Sequence, residues 1–242
     1  MVPFLELMGF GPRGWGATML WAAGMTLAVS TAGFLLGSVL GALVAWAKLS
    51  GGWALRTLAD AYTTVLRGIP DLLVIYLFYF GGSAAVSAIN RSWLGGDGFV
   101  AVPAFLVGML AVGVCNGAYQ AEVFRGGYLA VPKGEVEAAR AFGMRRAKMF
   151  SRVVAPQVLR FALPGLGNCW QLCLKESALI SVTGLVELLR QSQIGAGSTR
   201  QPFDFYLAAG ALYLVITTLS TLLFGWGERR TRRGQSRDLV RG

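Results

Sequence analysis

Long runs almost free of charge recur along the chain, each about 20 to 30 residues, which is enough to cross an apolar core about 30 Å thick. Five such segments stand out, at approximately 17–47, 70–89, 99–124, 161–184 and 205–226. They predict an all-α integral membrane protein with about five transmembrane helices, forming a single transmembrane domain over residues 1–242 and leaving the termini on opposite sides. The first run starts only at about residue 17 and carries no cleavage pattern, so a retained helix is expected and not a removed signal peptide.

Composition agrees with the pattern: 55% of the 242 residues are hydrophobic and 14% charged, which is not the balance of a soluble domain. The positive charges set the orientation, because Lys and Arg next to spans are retained on the cytoplasmic side. Seventeen of the 22 Lys and Arg residues flank one side, following the first span (Lys48, Arg56, Arg67), the third (Arg125 to Arg160) and the fifth (Arg229 to Arg241). Four lie on the other side (Arg13, Arg91, Arg190, Arg200), and Lys175 falls inside the fourth span. The N-terminus is therefore expected outside and the C-terminus inside. The net charge of +10 points to anionic lipid and topology and not to nucleic acid, since the basic residues are not interleaved with aromatics for base stacking.

The chain has no histidine, which removes imidazole bases and most zinc constellations, so no metal site is expected. Cys115, Cys169 and Cys173 lie in apolar stretches and read as small buried side chains. Gly33, Gly37 and Gly41 recur at every fourth position and predict close helix packing, within the chain or against another subunit.

Residues 125–160 form a connection too long and too patterned to be plain loop. Pro132 and Lys133 lead into Glu135-Val136-Glu137-Ala138-Ala139-Arg140-Ala141-Phe142, with acids in the first turn, and Gly143 can close that helix in a left-handed conformation. A second basic amphipathic stretch, Arg145 to Val154, runs up to Pro156. From the pattern alone, two short helices could simply lie on the lipid surface with Val136, Ala139 and Phe142 inward.

Glu137-Ala138-Ala139, Gly143, Pro156 and Leu163-Pro164 resemble the EAA loop of ABC-importer permeases. The resemblance covers about Thr26 to Arg230: residues 62–71, ending in Arg67-Gly68-Ile69-Pro70-Asp71, look like the entry to the second span of polar amino-acid permeases, and residues 121–134 like the entry to their EAA loop. Gly165-Leu166-Gly167-Asn168, Trp170-Gln171 and Ser198-Thr199 before Pro202-Phe203 resemble the Q-type subunits of histidine and of octopine or nopaline importers. Where the histidine type has Lys-Ser-Thr this chain has Lys175-Glu176-Ser177, and an acid there is an opine-type feature. The resemblance implies a bacterial inner-membrane permease of a type I importer for polar, cationic amino acids or opines. It also implies two copies of an ATP-binding subunit, an M-type permease partner and an extracytoplasmic substrate-binding protein. Glu137, Ala138, Ala139, Arg140, Phe142 and Gly143 would form the coupling helix, and ATP and Mg would bind the partner ATPase.

This chain carries no Gly-rich loop ending in Gly-Lys-Ser/Thr, so energy must come from that partner, and no cofactor is expected on this chain. Ionised side chains inside spans are costly and mark function or pairing. Lys175, Glu176 and Ser177 are candidates for the substrate pathway, with Lys175 and Glu176 pointing about 100° apart so that one faces a partner and the other a cavity. Glu122 can pair with Arg125 at i, i+3 or with a basic residue of the loop. Arg67, Pro70, Asp71 and Glu122 are read as gate or structural residues. Two rival readings are an intramembrane hydrolase using Lys175 and Ser177, disfavoured because i, i+2 residues do not face each other, and an ion-coupled transporter or channel without an ATPase.

Overall fold

The computed structural model describes residues 3–12, 14–94, 98 and 101–232, all helical or connecting segments. Arg13, Arg233, Arg237 and Arg241, counted above for orientation, lie outside the described residues. Among the described residues, four helices are long and apolar enough to cross a membrane: Gly16–Ser50, Asp71–Ser92, Ala104–Leu129 and Pro202–Thr231. We label the principal elements α1 (Gly16–Ser50), α2 (Trp53–Gly68), α3 (Asp71–Ser92), α4 (Ala104–Leu129), α5 (Lys133–Ala141), α6 (Ala155–Glu176), α7 (Leu188–Thr199) and α8 (Pro202–Arg232).

The expected fourth span, 161–184, takes a different form. The helix ends at Glu176, a tighter 3-10 turn runs from Ser177 to Thr183, and Gly184 reverses the chain at φ +88°. The middle of the apolar run past Glu176 packs against protein, as Ile180 is fully buried among Val29, Ala111 and Cys173. With 22 residues α6 has the length to span, but Gln157, Arg160, Asn168, Gln171 and Lys175 keep it out of the four most apolar helices. It packs alongside α4, where Asn116 Nδ2 donates to the Cys169 carbonyl at 2.9 Å.

The α1–α4 contact explains the spaced glycines. A methyl group at Gly41 would sit 2.9 Å from Gln120 Cβ, so only hydrogen fits where these backbones meet. This glycine face is used within the chain. Gln120 then bridges the pair, its Nε2 donating to the Phe34 carbonyl and to Asn116 Oδ1 while Ser38 donates to its Oε1. Each buried amide group thereby finds a partner where water is absent.

The segment holding Arg56 and Arg67, grouped above as a flank of the first span, is itself a helix. α2 climbs beside α1 and α4 until the Tyr62 hydroxyl donates to the Val114 carbonyl at 2.6 Å, near the middle of α4. Its mixed polar surface hides it from a search for long apolar runs. Ile69 and Pro70 are extended (ψ 148° and 131°) and interrupt the climb before α3 begins at Asp71. Two wider π-turns, Leu77–Gly81 and Asn90–Leu94, fall within or at the end of α3.

A second departure concerns Arg145 to Val154, expected as a separate helix stopping at Pro156. The chain runs through Arg146–Met149 and a π-turn at Phe150–Val154 directly into α6. Proline lacks the N–H that an α-helix needs at this position and its ring crowds the preceding turn; the widened turn immediately before Pro156 relieves both demands.

Candidate functional site

Asp71 opens α3 directly after the Ile69–Pro70 break, and Glu176 is the last residue of α6. The fold brings these two carboxyl groups close enough to interact electrostatically, with Cys115 near the centre of α4 beside them. Glu176 is only 7% exposed and its Oε2 has no hydrogen-bond partner. Asp71 is half-buried and forms the open side of the pair. Among the described residues neither acid enters an ion pair. Two carboxylates held this close in a poorly hydrated interior repel unless one of them takes up a proton or a cation comes between them.

The neighbours of Glu176 in sequence separate as helix geometry requires. Lys175 is exposed on the outer surface of α6, whereas Ser177 is fully buried with its hydroxyl donating to the Leu174 carbonyl at 2.7 Å. Lys175 and Ser177 therefore do not form a base and nucleophile.

Toward the Arg125 end of α4, a charged cluster ties three helices together. Lys48 Nζ lies 2.6 Å from Glu122 Oε1, 2.9 Å from Asp60 Oδ1 and 2.7 Å from Thr63 Oγ1. Arg125 meets the other oxygen of Glu122 at 2.9 Å, the i, i+3 contact available from the sequence. Lys48 supplies the second partner of Glu122, from a helix more than seventy residues away in sequence. Arg67 stands nearby with its guanidinium 5.5 Å from the centre of the Tyr119 ring.

The loop helix α5 is held at both ends. Gln157 donates to Glu135, fixing its start to α6. At its end the Met144 N–H donates to the Ala139 carbonyl and the Gly143 N–H to the Arg140 carbonyl, with Gly143 at φ +70°. This pair of bonds closes the helix and requires the left-handed conformation that glycine adopts without strain. Ala139 is buried and Val136 half-buried, while Glu137, Ala138 and Arg140 are exposed and Phe142 is 86% exposed. Phe142 thus points away from the face that Ala139 buries. A cleft of about 850 Å³ lies behind α5, lined by Tyr128, Glu137, Arg140, Met144 and Phe150 among others.

One buried acid escapes the sequence reading. Glu187, fully buried, caps α7 by accepting from the Leu189 and Arg190 backbone N–H groups at 2.8 Å each, and Thr26 and Tyr213 donate to it from α1 and α8. Burial pushes its carboxyl up from the ordinary range, while those same backbone and hydroxyl donors pull it back. Its position just before a helix start was the available signal.

Comparison with known proteins identifies the architecture. The family described as binding-protein-dependent transport system inner membrane component matches residues 37–233. The octopine transport system permease protein OccQ of Rhizobium meliloti is 58% identical over 236 residues, covering 98% of this chain and 99% of the relative. The nopaline transport system permease protein NocQ of Agrobacterium fabrum is 45% identical, covering 95% and 98%. In structure, a subunit of an amino acid ABC transporter crystallised with histidines superposes with a TM-score of 0.77 at 32% identity, covering 95% of this chain and 99% of that one. Such matches along nearly the whole length join the sequence motifs to the helical architecture: the chain belongs to the binding-protein-dependent transport system inner membrane component family and is a permease subunit of an ABC importer, not an enzyme.

Proposed function

We propose that this permease moves cationic polar amino acids or opines into the bacterial cytoplasm, across the inner membrane, as the Q-type half of a type I importer. The observation that carries the substrate class is the Asp71–Glu176 pair, two neighbouring acids without an ion-pair partner among the described residues. A guanidinium or ammonium group passing this level would meet both carboxyls through charge-assisted contacts that gain strength where water is scarce.

An importer of this family works with an ATPase subunit and a substrate-binding protein. In our reading two ATPases, an M-type permease and an extracytoplasmic binding protein complete the complex, with the N-terminus outside and the C-terminus inside. ATP and Mg act on the ATPases alone. The EAA-like helix α5 enters an ATPase groove through Glu137, Ala138, Ala139, Arg140 and Phe142, and Gly143 sets its angle.

Coupling follows from continuity of the backbone. The helical path from Arg146 through α6 ends at Glu176, so a displacement of α5 is passed along one rod to the acid pair. At about 1.5 Å per residue that rod is about 46 Å long, enough to join an ATPase surface to the middle of the bilayer. Nucleotide biases one arrangement and loaded binding protein the same two-state element, and the difference in their contacts drives alternating access. Lys175, exposed on α6, faces the partner permease in this arrangement, and the Lys48–Glu122–Arg125 cluster holds the inner ends of α1, α2 and α4 as a structural gate.

The test is reconstitution of the permease with its neighbouring ATPase and permease, measuring ATP hydrolysis against binding proteins loaded with Arg, Lys, His, Glu, octopine or nopaline. Stimulation by a cationic ligand or an opine is the expected result. Stimulation by loaded Glu alone removes the cationic assignment, and failure to bind any ATPase removes the coupling role of α5.

A further inference from the structure

Beside the acid pair stands a cation with the opposite deficiency. A cavity of about 460 Å³ is lined by Lys48, Thr63, Thr64, Arg67, Tyr119 and Glu122 among others. Most of its charge is already spent: Lys48 is held by Asp60, Glu122 and Thr63, and Glu122 by Lys48 and Arg125. Arg67 has no carboxylate partner among the described residues and rests on the face of Tyr119. Tyr119, under the Arg67 guanidinium, lies one helical turn along α4 from Cys115, so the two regions share one face of that helix.

Arg67 and Asp71 are four residues apart, a spacing that on a continuous helix would bring them together as an ion pair. The extended Ile69–Pro70 break prevents that stacking. An exposed cation and an acid pair are thereby held near each other with no ion pair between them. Four residues of chain separate their Cα atoms by at most about 14 Å, which is the length scale of one amino-acid-sized molecule.

We propose that Arg67 is the carboxylate-recognising residue of the transport path, so that the pathway takes amphoteric molecules: the carboxylate on the Arg67 guanidinium, with Thr64 alongside, and the distal cation on Asp71 and Glu176. The inference rests on the cationic reading above and extends it to the other end of the substrate. The planar guanidinium fork suits a carboxylate, which it meets through two parallel N–H donors, and the Tyr119 face holds that fork in place. The same arrangement disfavours a diamine or an amide-capped amino acid, which brings no carboxylate to Arg67. A second carboxylate, as in an opine, adds a further group for the same basic end.

The experiment uses the permease purified with its permease and ATPase partners and without binding protein, so that selection upstream is absent. Equilibrium binding is measured for L-arginine, L-lysine and octopine, each beside its carboxamide derivative. The wild-type complex should bind at least one carboxylate-bearing probe about tenfold or more tightly than its carboxamide, as loss of a charge-assisted contact predicts. Arg67→Gln should bring the two within about twofold, and Arg67→Lys, which keeps the charge and loses the fork, should fall between. Glu176→Gln should weaken acid and amide alike. Equal binding of acid and amide by the wild type, binding of neither, or full discrimination retained in Arg67→Gln would each overturn the proposal. The cationic reading fails separately: Glu176→Gln would then leave binding unchanged while Arg67→Gln still removes the preference for acid over amide.

Discussion

The carboxyl of Glu176, at the end of α6, lies against that of Asp71, at the start of α3, although 105 positions separate them in the chain. Their approach sets a residue read from the sequence as substrate pathway against one read as gate. Replacing Glu176 by Gln keeps size and removes charge, and we expect uptake of a cationic substrate to fall about tenfold or more at subsaturating concentration, the scale of a charged hydrogen bond. Asp71→Asn should act in the same direction. Radiolabelled uptake into proteoliposomes, normalised to assembled complex, measures this; unchanged uptake in both variants would remove the pair from the path.

Gly143 offers a test of the loop helix that separates geometry from bulk. At φ +70° a branched side chain is strained by about 1–2 kcal/mol, so Gly143→Val should disturb the end of α5 and abolish stimulated ATP hydrolysis while membrane insertion persists. Gly143→Asn tolerates the left-handed conformation and should retain much of the coupling. Equal activity in Gly143→Val and wild type would count against docking through α5.

For the cluster around Lys48, whose side chain is 8% exposed, loss of the ammonium leaves Glu122 with Arg125 alone. Lys48→Met should lower stability by about 2–4 kcal/mol, read as an earlier thermal transition of the detergent-solubilised chain. The double variant Lys48→Met/Glu122→Gln should recover part of that loss, because no buried charge is then left short of a partner.

Gly41 tests the α1–α4 contact. Leucine at that position would collide with Gln120 Cβ and the Ala121 backbone, so Gly41→Leu should force the helices apart and sharply reduce the yield of folded protein. Leucine at Gly24, where an added methyl meets nothing within 4 Å, is the control and should fold normally.

Glu187 is predicted to stabilise the turn between α6 and α8. Glu187→Ala removes a helix cap and leaves Thr26 and Tyr213 without their acceptor, which should cost about 1–3 kcal/mol in the same thermal assay.

Much of this protein is legible along the chain because each local signal acts alone. Long apolar runs at α1, α3, α4 and α8 report the spans, since lipid demands apolar side chains wherever a helix faces it. The short helix closed by Gly143 could likewise be read from acids, helix formers and a single glycine. Features that depend on what surrounds a residue were not available in that way. α2 interrupts its apolar residues with Arg56, Asp60, Thr64 and Arg67 and so offers no long apolar run; the run after Glu176 is a turn packed within the bundle; and Pro156 sits inside a continuous helix because a π-turn accommodates it.

The sequence alone therefore determined the membrane class, most of the spans, the loop helix and the residues worth watching, because hydrophobic length, capping chemistry and charge are properties of short segments. Only the tertiary structure decided which polar groups meet: Lys48 with Glu122, Glu187 with Tyr213, Asp71 with Glu176, and Arg67 with the Tyr119 ring. Those relations depend on helix packing and on one break at Ile69–Pro70, and distances across a bundle are set by the whole fold and not by spacing along the chain.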